Sequence, residues 1–244
     1  MEFLKTTYLT NEIYQCIVTP FIDKCYDLKK YELIYKISSQ IGIKKITLQK
    51  DKLPLFEMAY SAKNFDILFS KSLYELNLKI EKSHATFNNL GTIYEELGFL
   101  SKASDLFNKA LKLDEFEDIY KNNCERISKR ILKQSEARSD LIINNFDFLE
   151  ILLILSMQRD KYNIINIDKI DITKFENLSK ENIKKYCNMF ISKGFYIKQK
   201  DNIVVDMDLF ELLNNLSSTI NKNKEYKKIS DNINYEKLNL MGYN

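Results

Sequence analysis

The chain has 244 residues, 45% of them apolar and 29% charged, with a formal net charge of +3; that is enough for one large domain or two small ones around a genuine core. Only five glycines and two prolines are present, too few for the tight turns of a β-sandwich or barrel. No G-x-G-x-x-G or G-K-[ST] phosphate loop occurs, and so mild a charge does not imply nucleic acid by itself, so a mainly α protein remains.

The first expected helix pair covers Ile13 to Cys25 and Tyr31 to Ile41. A second carries Leu55, Phe56, Ala59 and Tyr60 on one helix and Phe65, Leu68, Phe69, Ser72 and Leu73 on the next. The clearest segment runs from His84 to Leu113. Its first helix puts Phe87, Leu90 and Tyr94 on one stripe, and its second does so with Ala103, Leu106, Phe107 and Ala110. Small residues at Gly91, Ala103 and Ala110 let the two helices approach, and Gly98 suits the left-handed C-cap between them.

This run of an aromatic, Leu-Gly, then Tyr94, Gly98, Ala103, Phe107 and Ala110 resembles the tetratricopeptide repeat. It departs at Glu115, where that family usually has proline. One repeat cannot bury its own apolar face, so neighbouring helices must stack on it, giving a short TPR-like helical solenoid over residues 1–137. The resemblance implies a concave protein-binding groove faced by Asn88, Asn89, Thr92, Glu95 and Glu96. Asparagine amides there can bond a ligand backbone, whereas the carboxylates would repel a peptide's terminal carboxylate. A solvated face of an internal helix is the other reading of the same positions.

From Asp140 the pattern changes. Phe148, Leu149, Leu152, Leu153 and Leu155 make a strongly apolar helix, and Asn163 to Ile167 suit a brief strand. Ile167, Ile170 and Phe175 suggest a short helix, with a turn at Glu176 to Leu178. Ser179 then caps a helix from Lys180 to Ser192 with Glu181 in its first turn. Ile183, Cys187, Phe190 and Ile191 form its buried stripe, and Gly194 stops it. Phe195 to Gln199 and Ile203 to Val205 read as a hairpin around Lys200, Asp201 and Asn202.

Helix, turn, helix and hairpin in that order resemble a winged helix, spanning residues 138–206. Its reading helix would offer Lys180, Asn182, Lys184, Lys185 and Asn188, with Lys198 and Lys200 on the wing. Yet residues 141–216 hold ten Lys/Arg against eleven Asp/Glu. No arginine, the commonest base-reading side chain, lies in that helix. Residues 207–244 follow as a C-terminal helix and polar tail. Leu209, Leu212, Leu213, Leu216 and Ile220 recur at helical spacing, as an interface with partner subunits or as packing on their own domain.

Helical repeats followed by a winged helix resemble the PCI family of proteasome-lid, signalosome and initiation-factor subunits. That resemblance implies a non-catalytic scaffold whose partners are other protein subunits. The second reading is a transcriptional regulator that binds DNA through its winged helix.

Enzyme chemistry finds little to stand on. His84 is the sole imidazole, at the opening position of the repeat, and no nucleophile motif pairs a serine or cysteine with it as a base. The carboxylate pairs Glu95–Glu96 and Asp206–Asp208 are not gathered by any motif. Cys16, Cys25, Cys124 and Cys187 show no C-x-x-C spacing, which favours reduced, buried thiols over zinc, so no cofactor is expected. The N-terminus has no signal-peptide pattern. The most apolar stretch, Phe146 to Met157, is broken by Asp147 and Glu150 and is far short of the roughly 20 residues of a membrane span. An intracellular, cytoplasmic or nuclear, non-enzymatic protein without membrane or small-molecule partner is expected.

Overall fold

The computed structural model describes residues 13–144, 146–174, 179–199 and 202–211, with side chains described outside 134–150 and 153. The chain is mainly helical with a small three-stranded antiparallel sheet. It divides into two compact units, Met1–Ile93 with Asp105–Cys124, and Tyr94–Ser104 with Glu125–Asn244. The domain boundary expected after residue 137 falls inside one continuous helix, Asp118–Asn144.

In the first unit a π-helical turn, Tyr14–Val18, leads into α1 (Thr19–Asp27). Then come α2 (Tyr31–Ile41), α3 (Ile43–Leu48), α4 (Leu55–Ala62) and α5 (Ile67–Asn77). Gly42, at φ 77°, ends α2 and starts α3, a helix with no counterpart in the sequence expectation. The Asp66 carboxylate caps α5, accepting from the N–H groups of Leu68 and Phe69 at 3.1 and 3.0 Å. Helix α4 packs on α1, α2 and α5. Its fully buried side chains are Met58, Ala59 and Ala62, with Leu55 beside them. At about 100° per residue, that face turns Tyr60 outward, and it is 43% exposed. Phe65, expected within the next helix, lies in the turn before α5 and is 47% exposed.

Helices α6 (His84–Glu96), α7 (Leu100–Leu113) and α8 (Asp118–Asn144) follow. The expected small-against-large packing is present. A Cβ added at Gly91 would lie 2.8 Å from the Phe107 ring, and Phe107 and Ala110 are fully buried.

The second unit starts at the end of α6. Phe99 N–H donates to the Tyr94 carbonyl at 2.9 Å and Gly98 N–H to the Glu95 carbonyl at 3.1 Å. The rings of Tyr94 and Phe99 meet edge-on at 5.9 Å. This is a Schellman stop with its hydrophobic contact. The same device ends α10 (Lys180–Ser192): Phe195 N–H bonds the Phe190 carbonyl at 2.8 Å, Gly194 has φ 81°, and the two rings lie 6.2 Å apart. At its other end Ser179 Oγ accepts from Asn182 N–H at 3.2 Å.

Helix α9 (Phe146–Met157) precedes β1 (Ile164–Ile165), and α10 precedes β2 (Tyr196–Gln199) and β3 (Asn202–Val205). The strand order is β1-β3-β2, with Ile165 opposite Ile203 and Ile197 opposite Val204. Alternation along the strands splits the sheet into two buried faces. Ile165, Tyr196, Ile203 and Val205 join Leu152 and Leu155 of α9 and Ile183, Cys187 and Phe190 of α10 in one core. The segment Ile167–Lys174, expected as a short helix, forms two 3-10 turns; Phe175 to Leu178 lie outside the described residues.

The opposite face meets the turn after α6. A Cβ at Gly98, whose φ is +84°, would sit 2.0 Å from the Val205 carbonyl oxygen and 3.3 Å from Val204 Cγ1. Gly98 also accepts from Met207 N–H at 2.9 Å. Alanine at 98 therefore meets both a disfavoured φ and a backbone clash. Gly98→Ala should cost about 3 kcal/mol of stability by urea unfolding; a loss below about 0.5 kcal/mol would contradict this packing.

Candidate interaction surfaces

The five expected groove residues lie along α6, and most are engaged within the chain. In the first unit, Asn88 Oδ1 accepts from Asn123 Nδ2 at 2.7 Å, and Asn89 Nδ2 donates to the Tyr74 hydroxyl at 3.0 Å. Burial holds that hydroxyl well above its ordinary pKa, and the bond from Asn89 opposes the shift. Thr92 Oγ1 donates back to the Asn88 carbonyl at 3.1 Å.

In the second unit, the Glu95 side chain is only 4% exposed and accepts from both Arg126 and Arg130. These arginines stand one turn apart on α8, so both reach the one carboxylate. Glu95 is thus an internal ion cluster and not an open groove contact. Its backbone carbonyl accepts from Gln199 Nε2 of β2 at 3.3 Å. Glu96 is half-buried.

On α10 the division is clean. Ile183, Cys187 and Phe190 are fully buried, and burial pushes the Cys187 thiol up to about 11. Lys180, Asn182, Lys184, Lys185 and Asn188 are all exposed on the other side. Lys185 pairs with Glu181 at 3.5 Å, and Lys180 Nζ donates to the Asp168 carbonyl at 3.2 Å. Lys198 is exposed on β2, and Lys200 lies outside the described residues. The basic side chains of this surface are all lysines.

Leu209, expected on an interface stripe, is buried in the unit's own core. Leu212, Leu213, Leu216 and Ile220 lie outside the described residues. The nearby carboxylates act as caps. Asp206 Oδ1 accepts from Leu209 N–H at 3.1 Å, and Asp208 Oδ2 accepts from Ser101 N–H at 2.7 Å, at the start of α7. His84 is exposed and shares a 2.7 Å hydrogen bond with the Tyr120 hydroxyl.

Sequence reasoning missed an aromatic band on the first unit. Tyr26, Tyr31 and Tyr60 pack edge-to-face with centroids 5.5–5.7 Å apart. Phe56 lies 6.5 Å from Tyr60, and Tyr35 stacks on Phe65 at 5.1 Å and meets Phe69 at 6.4 Å. The signal was present as i,i+4 aromatic pairs, Tyr31/Tyr35, Phe56/Tyr60 and Phe65/Phe69.

The chain matches no family model, no curated protein and no solved structure. Among the described residues, no group of three His, Cys, Asp or Glu is placed to hold a metal ion, and no helix is long and apolar enough to cross a membrane.

Replacing Glu95 by Gln keeps the shape and removes the charge that holds two guanidinium groups. Because the arginines are 45% and 32% exposed, water screens part of the loss, and about 1–3 kcal/mol of destabilisation is expected. Unchanged thermal unfolding of Glu95→Gln would contradict the internal role.

Proposed function

We propose that the chain is a non-catalytic adaptor that assembles with other protein subunits, a short TPR-like solenoid joined to a winged helix in the manner of PCI-type subunits. The observation that supports this reading best is the aromatic band on α1, α2, α4 and α5. Tyrosine and phenylalanine left at a surface offer large apolar area with little entropy to lose, the composition of protein-binding hot spots. The Gly91–Phe107 interdigitation supports the repeat likeness, and the capped α10 followed by the β2–β3 hairpin supports the winged-helix likeness.

A second reading keeps DNA as the ligand. What favours it is the exposed lysine and asparagine face of α10, Lys180, Asn182, Lys184, Lys185 and Asn188, with Lys198 on the hairpin. Against it stand the pairing of Lys185 with Glu181 and the absence of arginine in that helix. The other face of the hairpin is also covered by the chain's own Gly98 turn.

A nuclease-treated pull-down of the tagged chain separates the two readings. The adaptor reading expects a stoichiometric set of partner subunits, lost when Tyr60→Asp and Phe65→Asp are combined and retained when Lys184→Glu and Lys185→Glu are combined. Recovery of the chain alone would contradict it. The DNA reading expects duplex binding that falls steeply with salt and drops at least about tenfold in the double lysine variant.

A further inference from the structure

Next to the aromatic band, the first unit carries a cleft of about 440 Å³ between residues 50–57 and 77–85. Its apolar wall includes Leu53, Pro54 and Phe56, with Ile80, 45% exposed, on the other side. Phe56 continues the wall to Tyr60 and rests edge-on against the buried ring of Tyr74, 5.7 Å away.

The charged side chains that line this cleft are unbalanced. Asp51, Glu57 and Glu81 contribute three carboxylates against the single ammonium of Lys50. Among the described residues none of the three carboxylates has an ion-pair partner. Glu57 is half-buried, and desolvation raises its pKa, with the nearby charge of Asp23 adding to the rise. A half-buried carboxylate with no cation beside it is a cost within the free chain, and an incoming cation would relieve it. Arginine and lysine suit the rest of the cleft equally well. Their alkyl stems lie on apolar surface while the charged head seeks a carboxylate or an aromatic face.

Resting on the adaptor reading, we propose that this cleft docks an extended cationic segment of a partner protein, with an arginine or lysine reaching Glu57 across the wall formed by Leu53, Pro54 and Phe56. Charge complementarity selects this occupant. An acidic segment would add to three carboxylates, and a purely apolar one would leave Glu57 desolvated with no cation beside it.

The test titrates the full chain with a short fluorescent peptide of alternating arginine and leucine, beside a twin of alternating glutamate and leucine, read by anisotropy. The basic peptide should bind saturably and the acidic twin should not. Glu57→Gln, which keeps the side-chain shape, should weaken the basic peptide about tenfold, and Lys50→Glu should tighten it. No binding of the basic peptide, equal binding of the twins, or unchanged affinity in both variants would overturn the assignment. Partners recovered equally by Glu57→Gln and the native chain would also overturn it while leaving the adaptor reading intact. Recovery of the native chain alone would end the adaptor reading, and the peptide titration would still decide the cleft.

Discussion

A single missing side chain governs the second unit. Gly98 lies so close to the Val205 carbonyl that no Cβ fits between them, and only glycine adopts its φ of +84° without strain. Because the turn can come that close, α6 is finished by groups distant in sequence. The carbonyls of Glu95, Leu97 and Gly98 accept from Gln199 Nε2, Asn163 Nδ2 and Met207 N–H. A helix end leaves its last carbonyls without intrahelical partners, and here the β1 approach, β2 and the segment after β3 each supply one. The exchange runs both ways, since Asp208 caps the start of α7 through Ser101 N–H. The covered sheet face, with Val204 1% and Ile197 4% exposed, follows from the same contact.

Much of the local structure was legible in the sequence, because it depends on local chemistry. Ser179 and Gly194 bound α10 at the expected residues, β2 and β3 pair with Gln199 opposite Asn202, and Gly91 faces Phe107 as the repeat spacing implies. What was not legible depends on partners far along the chain. Glu95 looked like a groove residue until Arg126 and Arg130, on a helix more than thirty positions away, proved to hold it. Asp206 and Asp208 looked like an unassigned carboxylate pair, and each caps a helical turn. Tyr60 and Phe65 looked like core, since apolar content alone does not say which side of α4 its neighbours cover. The short α3 went unread because six residues carry too little periodicity to register.

The functional picture follows from where charge and aromatic surface remain after folding. The asparagines and Glu95 of α6 are used by the chain itself, which leaves little of the expected groove to a ligand. What remains open is an aromatic band beside an acidic cleft on the first unit and a lysine face on α10 in the second. On the proposed adaptor reading, surfaces of opposite charge would select different partners, because each would repel the ligands of the other. In the proposed adaptor, surface charge of this kind would set encounter rate and selectivity, with exposed aromatic rings as the natural source of affinity.

The most direct measurement is hydrogen exchange of the native chain, read at residues 94–104 and 196–207. If the Gly98 turn is fixed by the sheet, the amides of Gly98 and Phe99 exchange as slowly as those of Val204 and Met207, and Gly98→Ala releases both segments together. Rapid exchange across 94–104 beside a protected hairpin would contradict the account, because the turn would then be lying on the sheet without being held by it.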